Sequence, residues 1–522
     1  MRNFKPEPSG NNKYFDDLDP LEPNIKKHAI RGAGASFFSH IYIFLVQIIG
    51  IMILARLLTP ADFGLVAMVL AFSMLLQNFG VNGFTEATIQ RKGIEHKQIS
   101  TFFWINISLN LALALLFIAC APLFAWFYKE PQIKLIVVVM SLSIFFAGAS
   151  SQHIALLMRK MQFYKYAAIN MLAVTLSLII AIILALLDFG YWALVARWVA
   201  SPLITAVCAW TFCRWRPSLP VWDVKIKPMV KFAMNIYGVF SVDYFSRNLD
   251  KMLIGRYLGA QLLGYYQRAY YLLSLPTNQI TAPLTNVVIA TLSRLTDNLQ
   301  KFLRYYSNAL SIVAFIGMFL SAGFTLMGKD IILLLLGPQW NIAGKIMSIF
   351  GPGVGIMLIY TTNVWLHYSL GNADRCFRWS FFKVIVTTLC ILIGLRHGIF
   401  GVAVGYIVSF YILLFPGLLY AGKPIGLKLR YFISNIWKYF VAALITYVLC
   451  WFVLYSFSAT SYAFIRLNVF FRIAISGALC LLTYLFCVIV LCRGLKPIKE
   501  LFSLLPEMLP GKIKIYNGSN GN

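Results

Sequence analysis

The chain has 522 residues, of which 60% are hydrophobic and 12% are charged, and its formal net charge is +27. A soluble protein of this composition would expose more apolar surface than a folded domain can hide, so the composition excludes a soluble globular protein and indicates a membrane protein. The Lys and Arg residues lie in short clusters between apolar runs and form no continuous basic face. This pattern argues against nucleic acid as a partner.

The chain begins with a polar tail rich in Pro, Asn and Asp, residues 1–32, which we predict to be cytoplasmic and disordered. The first apolar run follows this tail, so the pattern of a cleaved signal peptide is absent. Nine cysteines lie in or beside apolar segments without CxxC spacing. We therefore expect no metal site, no disulfide framework and no cofactor.

Fourteen segments have the length or the context of a membrane-spanning helix, since a helix needs roughly 20 apolar residues to cross a bilayer. These predicted spans are 34–58, 63–80, 102–126, 134–157, 166–187, 190–212, 232–257, 263–289, 305–327, 343–368, 379–396, 399–420, 434–456 and 467–491. Most Lys and Arg residues fall in the segments that face the same side as the N-terminus. Because basic loops stay cytoplasmic, we predict a plasma membrane protein with both termini inside.

An internal repeat appears at an offset of 200 residues, where 55–64 aligns with 255–264 and Asn78 aligns with Asn278. The two matching stretches are separated by six predicted spans, so they run in the same direction through the membrane. The sequence therefore predicts an all-α integral membrane protein of about fourteen transmembrane helices, in two parallel six-helix lobes plus a C-terminal helix pair. The predicted boundaries are 33–215 and 228–421 for the lobes, 434–492 for the pair and 493–522 for a cytoplasmic tail.

The start of the second span carries a capping sequence, in which Thr59 is the N-cap, Pro60 the first helical residue and Asp62 the third residue after the cap. The eighth span contains Pro276 and Pro283, and each proline removes a backbone donor. We predict that these prolines kink the helix beside a cavity or a hinge.

The seventh span is too charged for a hydropathy window to accept, although its repeat partner at 41–56 is plainly apolar. Asp243, Arg247 and Lys251 follow one another at four-residue spacing, so they share one face of a helix. Because a charge costs ~2.5–3.5 kcal/mol at the bilayer centre, we predict that this face lines a watery cavity. Two other interpretations remain: a loop after a short span, and an Asp243–Arg247 pair that only neutralises itself.

Two further arginines fall within predicted spans, Arg197 in the sixth and Arg268 in the eighth. Arg197 either faces a functional cavity or extends to the outer headgroups. The sequence contains no Walker A motif, no paired catalytic carboxylates and no metal-ligand spacing of histidines. These absences favour transport over catalysis.

Two stretches, 55–68 and 247–266, resemble the polysaccharide transporter (Wzx-like) family of the MOP flippase superfamily, and especially its colanic-acid-exporter-like branch. The similarity extends over roughly residues 30–425. The resemblance implies a flippase that moves undecaprenyl-diphosphate-linked oligosaccharide repeat units to the outer leaflet by alternating access of two lobes. It also implies a polymerase and a chain-length regulator as protein partners, in exopolysaccharide, capsule or O-antigen synthesis.

A diphosphate needs cationic partners, and the planar guanidinium of arginine matches phosphate oxygens. We predict that the substrate is bound by Arg247 and Arg268 in the first place, and also by Arg197, Lys251 and Asn278. Asp243 is the candidate for a coupling ion. The alternative functions are a drug or cation antiporter of the same superfamily and a membrane-embedded polysaccharide polymerase or acyltransferase.

Overall fold

The computed structural model describes residues 25–81, 85, 88–89, 94–220, 227–456, 464 and 467–494. Within these residues the secondary structure is helical and contains no β-strand. The principal helices are α1 (Ile25–Leu57), α2 (Pro60–Val81), α3 (His96–Ala119), α4 (Ala121–Tyr128), α5 (Ile133–Arg159), α6 (Phe163–Leu186), α7 (Tyr191–Cys213), α8 (Lys227–Arg294), α9 (Leu299–Leu336), α10 (Asn341–Ser369), α11 (Ala373–Leu395), α12 (Gly398–Gly422), α13 (Leu429–Trp451) and α14 (Val469–Cys492).

Among the described residues, 12 helices are long and apolar enough to cross a membrane. They correspond to all the predicted spans except the seventh and eighth, which both fall in α8. The short helix α4 completes the predicted third span after a break at Cys120. The all-α membrane fold is confirmed, whereas the total of fourteen spans stays a prediction.

Helix α8 folds back on itself at Gly259. This residue has φ +86° and ψ 174°, in the left-handed half of backbone space that favours glycine. In a straight helix, Asp250 and Tyr266 would lie about 24 Å apart, at ~1.5 Å per residue. Their side chains instead form a 2.9 Å hydrogen bond, so the two halves of α8 make a helical hairpin.

The non-helical backbone in α8 therefore lies at Gly259 and not at the prolines of the predicted kink, and helix continues through Pro276. Threonine hydroxyl groups donate hydrogen bonds to backbone carbonyls in this part of α8. Thr277 donates to the carbonyl oxygen of Ser274 at 2.9 Å, and Thr281 donates to that of Thr277 at 3.0 Å. Such bonds supply partners to carbonyls near a proline.

The described chain divides into two compact units. The first comprises Met1–Leu57 and Val69–Ser241, and the second comprises Leu58–Met68 and Val242–Asn522. The predicted lobes differ from this division at residues 58–68, which group with the second unit, and at residues 228–241, which group with the first. The lobe boundaries stay a prediction. The predicted capping at the start of α2 is confirmed, because Thr59 donates from its backbone N–H to Asp62 Oδ2 at 2.9 Å.

In the first unit, α5 is the central helix and packs against α3 and α7, while α6 packs against α1 and α7. A buried aromatic cluster joins α3 to the segment after α7, with Phe102, Phe103 and Trp215 at most 2% exposed. His153 on α5 stacks on Trp210 of α7, with ring centroids 4.6 Å apart. The interior of the unit is thus tightly packed at this end of α5.

In the second unit, α9 packs along α10, and α12 packs against α10 and α11. The last two helices, α13 and α14, both pack on α9. An ion pair between Arg472 and Asp330 links α14 to α9, and the Tyr484 hydroxyl donates to the carbonyl oxygen of Phe315 at 2.8 Å. The C-terminal helix pair is therefore an integral part of this unit.

The two copies of the internal repeat contact each other inside the second unit, through equivalent residues. A Cβ added to Gly64 would lie 1.7 Å from the carbonyl oxygen of Ala260, and one added to Gly264 would lie 1.8 Å from that of Pro60. Gly64 thus faces the residue four positions before Gly264, and Gly264 faces the residue four positions before Gly64. The contact is therefore equivalent in the two copies of the repeat. This reciprocal contact explains why residues 58–68 belong to the second unit.

Candidate functional site

The α8 hairpin buries a carboxylate between its two halves. Asp250 is 2% exposed, and its Oδ2 accepts the hydrogen bond from the Tyr266 hydroxyl. Its other oxygen, Oδ1, is buried and has no hydrogen-bond partner among the described residues. A buried carboxylate with an unused oxygen can take up a proton or a cation, so Asp250 is chemically suited to an ion-coupling role.

Lys251 lies next to this carboxylate in sequence, but its ammonium group contacts other residues. Nζ donates to Asn248 Oδ1 at 2.8 Å and lies 5.3 Å from the centre of the Tyr270 ring. The Tyr270 hydroxyl lies 3.3 Å from that of Tyr406 on α12. The ammonium group is therefore held against an aromatic face, and it also interacts electrostatically with the neighbouring Asp250 carboxylate.

Arg268 is held in a similar way on the second half of the hairpin. Its guanidinium carbon lies 4.1 Å from the centre of the Phe63 ring and 5.7 Å from that of Tyr271. Phe63 packs edge-on against Trp340, with ring centroids 5.4 Å apart. A guanidinium stacked on aromatic rings is stabilised by cation–π attraction and keeps its positive charge.

The predicted site residues fall into three groups. Lys251 and Arg268 lie on the first and second halves of the hairpin, and Asn278 is an exposed residue on its second half. Arg197 is half-buried on α7, in the first unit. Asp243 and Arg247 belong to α8, but their side chains lie outside the described residues, so their roles stay predictions.

Sequence patterns assigned no role to Asp250, Tyr266, Tyr270 or Tyr406. The predicted spans end at 257 and begin again at 263, which predicts a reversal of the chain between them. The centre of that segment is residue 260, which would place residue 250 opposite residue 270, so the sequence does not predict the pairing of Asp250 with Tyr266. Tyr406 lies on α12, far from α8 in the chain, and nothing in the sequence predicts its contact with Tyr270.

Comparison with known proteins gives a family match over most of the first two thirds of the chain. Residues 53–344 match the family model described as "Polysaccharide biosynthesis protein". The chain is 25% identical to the succinoglycan biosynthesis transport protein ExoT of Rhizobium meliloti (strain 1021), over 72% of this chain and 77% of that protein. It is 22% identical to the lipopolysaccharide biosynthesis protein WzxC of Escherichia coli (strain K12), over 81% and 87%.

Among solved structures, the lipid II flippase MurJ in its inward closed conformation matches with a TM-score of 0.71 and 18% identity, covering 89% of this chain and 99% of that one. An inward-facing multidrug resistance MATE family transporter of the MOP superfamily matches with a TM-score of 0.59 and 15% identity, over 73% and 94%. At these identities, the two structures establish the fold that this chain shares.

Proposed function

Because the chain belongs to the polysaccharide biosynthesis protein family, we propose that it translocates undecaprenyl-diphosphate-linked oligosaccharide repeat units across the bacterial plasma membrane. The family places it among transport proteins and not among enzymes. Transport would proceed by alternating access of two lobes and would serve exopolysaccharide, capsule or O-antigen synthesis. The names of ExoT, a biosynthesis transport protein, and MurJ, a lipid flippase, support this assignment.

The observation that carries the proposal is the pair of cations on the α8 hairpin. Lys251 and Arg268 are held against the aromatic rings of Tyr270 and Phe63. A lipid diphosphate carries negative charge at the membrane interface, and charge-assisted hydrogen bonds from these groups would bind it. The polyprenyl chain needs no polar partner because lipid is its natural solvent.

The remaining predicted residues complete this proposal. Arg247, Arg197 and Asn278 would add contacts to the substrate, and Asp243 would bind the coupling ion. Both termini would lie in the cytoplasm, and the protein partners would be a polymerase and a chain-length regulator. A drug or cation antiporter would need a site that attracts cations, which Lys251 and Arg268 would repel. The polymerase alternative is disfavoured by the similarity to ExoT, which is named a transport protein, and by the fold shared with the lipid II flippase MurJ.

Replacing Arg268 tests the proposed role of the hairpin. We expect Arg268→Gln to slow translocation of fluorescent undecaprenyl-diphosphate-linked sugar in reconstituted vesicles by about 10-fold or more, because a hydrogen bond to a charged group contributes ~1.5–3 kcal/mol. Arg268→Lys should keep part of the rate, since it retains the charge and loses the planar fork.

Arg256→Gln is the matched control, because Arg256 also lies on α8 and stacks over a tyrosine, with its guanidinium carbon 5.8 Å from the centre of the Tyr257 ring. Arg256 is expected to anchor lipid headgroups, so its variant should change the rate less than about twofold, as for an ordinary surface change. Equal rates for Arg268→Gln and the unmodified chain would remove Arg268 from the mechanism.

A further inference from the structure

The first unit contains a cavity of about 240 Å³ that the diphosphate-binding proposal leaves without a role. Three separate segments supply hydroxyl groups to its wall: the residues after α2, the second half of α5 and the middle of α7. We call this cavity the hydroxyl pocket and define it by Thr85, Ser150, Ser151, Ser201 and Thr205. Its other described lining residues are apolar, so none of the described residues that line it carries a charge.

The hydroxyl groups of the pocket are arranged mainly to accept hydrogen bonds. Ser150 and Ser151 donate to the carbonyl oxygens of Ala147 and Gly148, both at 3.0 Å, and Thr205 donates to that of Ser201 at 2.9 Å. The O–H donor of each of these three hydroxyl groups is thereby used within its own helix. Lone pairs on the hydroxyl oxygens remain to accept hydrogen bonds from a ligand. Thr85 differs, because its Oγ1 is buried and has no hydrogen-bond partner in the described structure.

Behind the pocket, α3 and α5 hold buried amides whose hydrogen-bonding capacity is only partly used. Asn106 Nδ2 donates to Ser151 Oγ at 3.0 Å, which connects this amide to the pocket wall. The Oδ1 atoms of Asn106 and Asn110 and the Nε2 atom of Gln152 are buried and without a partner among the described residues. Each such atom costs ~1–3 kcal/mol unless water or a polar ligand reaches it.

The cavity has a volume of about 240 Å³ and is open on one side. It can therefore accept one monosaccharide ring while the rest of a lipid-linked oligosaccharide stays outside. The wall is mainly apolar, with hydroxyl oxygens among the apolar groups, which suits a ring whose faces carry C–H groups and whose edges carry O–H donors. This wall does not suit a phosphate group, because phosphate oxygens need hydrogen-bond donors or positive charge.

We propose that the hydroxyl pocket binds one uncharged sugar ring of the lipid-linked substrate. This inference rests on the proposed function, because it assigns the ring to the substrate that the flippase would carry. It adds a recognition site for the sugar itself, separate in chemistry from the cations of the α8 hairpin. Pocket residues would then determine which sugars are accepted, while the hairpin would respond to any polyprenyl diphosphate.

The test measures lipid binding by the full chain in nanodiscs. The probes are bare undecaprenyl diphosphate and the same lipid carrying glucose, galactose or N-acetylglucosamine. We expect at least one glycosylated probe to bind more tightly than the bare lipid, by about fivefold, since a neutral hydrogen bond contributes ~0.5–1.5 kcal/mol. The Ser150→Ala/Thr205→Val double variant should lose this preference, and Ala147→Phe, which fills the pocket, should abolish it.

Thr211→Val is the matched control for the hydroxyl deletions. Thr211 lies on the same helix as Thr205, and its hydroxyl also donates to a carbonyl of that helix, at 2.9 Å from Cys208 O, but it does not line the pocket. This variant should keep the preference for the glycosylated probe. Unchanged affinity of every variant for the bare lipid would show that the protein remains folded.

The outcomes separate this inference from the proposed function. Failure of the unmodified chain to bind bare undecaprenyl diphosphate would contradict the proposed function itself. If the bare lipid binds but no glycosylated probe binds more tightly, or if the pocket variants keep the preference, the sugar pocket is wrong. A loss of affinity that is equal for bare and glycosylated lipid would place the prenyl chain in the pocket and would also overturn the inference.

Discussion

Asp250 is a buried residue whose carboxylate keeps one oxygen without a hydrogen-bond partner among the described residues. Its carboxylate is enclosed by the α8 hairpin, and the Tyr266 hydroxyl occupies only one of its two oxygens. Asp243, the coupling residue expected from the sequence, lies seven residues earlier on the same helix. Since 3.6 residues make one helical turn, residues seven apart lie on nearly the same face, two turns apart. The two carboxylates are therefore competing candidates for the same role.

We predict that Asp250→Asn uncouples transport from an ion gradient. The asparagine keeps an oxygen for Tyr266 but has no negative charge with which to bind a proton or cation. In vesicles with an imposed proton or sodium gradient, the variant should lose the acceleration that the gradient gives, while lipid affinity stays within about twofold. Asp243→Asn is the parallel measurement, and loss of acceleration only in that variant would assign coupling to Asp243 instead.

At the scale of helices, the close approach of the repeated segments depends on two glycines. Gly64 and Gly264 each leave room for a carbonyl oxygen of the opposite segment, so any side chain would overlap with backbone. Backbone cannot rotate away as a flexible side chain can. Small residues at four-residue spacing are a common device for bringing membrane helices into direct contact. The residues that the two copies of the repeat share thus include the glycines that allow the copies to pack closely.

Replacement of either glycine should separate these helices. We expect Gly64→Val and Gly264→Val each to lower the free energy of unfolding by ~1–3 kcal/mol or more, because overpacking at backbone forces the helices to shift. Thermal unfolding of the purified protein in detergent measures this effect. Gly477→Ala on α14 is the control, since the nearest atom to an added Cβ there is the Met327 sulfur at an ordinary 3.7 Å. Equal melting temperatures for the three variants would contradict the packing argument.

At the scale of the whole molecule, the number of membrane crossings depends on α8. In the part of the chain that the structure describes, twelve other helices are long and apolar enough to span a membrane. If each half of the α8 hairpin is also a span, the total is fourteen, and the turn at Gly259 lies on the opposite side of the membrane from both ends of α8. Its charges would be tolerated because the two halves cover each other's polar faces and bury Asp250 between them.

Reporter fusions test this arrangement directly. We predict that alkaline phosphatase fused after Gly259 is active, because the turn faces the periplasm, and that fusions after residues 220 and 297 are inactive. Fluorescent protein fusions at the same three positions should give the inverse pattern. Inactive phosphatase at all three positions would mean that α8 does not cross the membrane, and the total of fourteen spans would then be wrong.

The sequence by itself determined the membrane environment, the positions of most helices, the resemblance to polysaccharide transporters and the helix start at Thr59. These properties are local: hydropathy is a sum over about 20 consecutive residues, and capping depends on residues three positions apart. Even the reversal of α8 could be expected, because the predicted seventh and eighth spans are separated by a short segment that contains Gly259.

Only the tertiary structure decided which distant side chains meet. The pairing of Asp250 with Tyr266, the stacking of Arg268 on Phe63 and the assembly of the hydroxyl pocket from Thr85, Ser150 and Thr205 all join residues far apart in the chain. Helical periodicity states which residues share a face, but it does not state which helix that face meets. That choice depends on packing, where a glycine such as Gly64 allows one approach and a larger residue would prevent it.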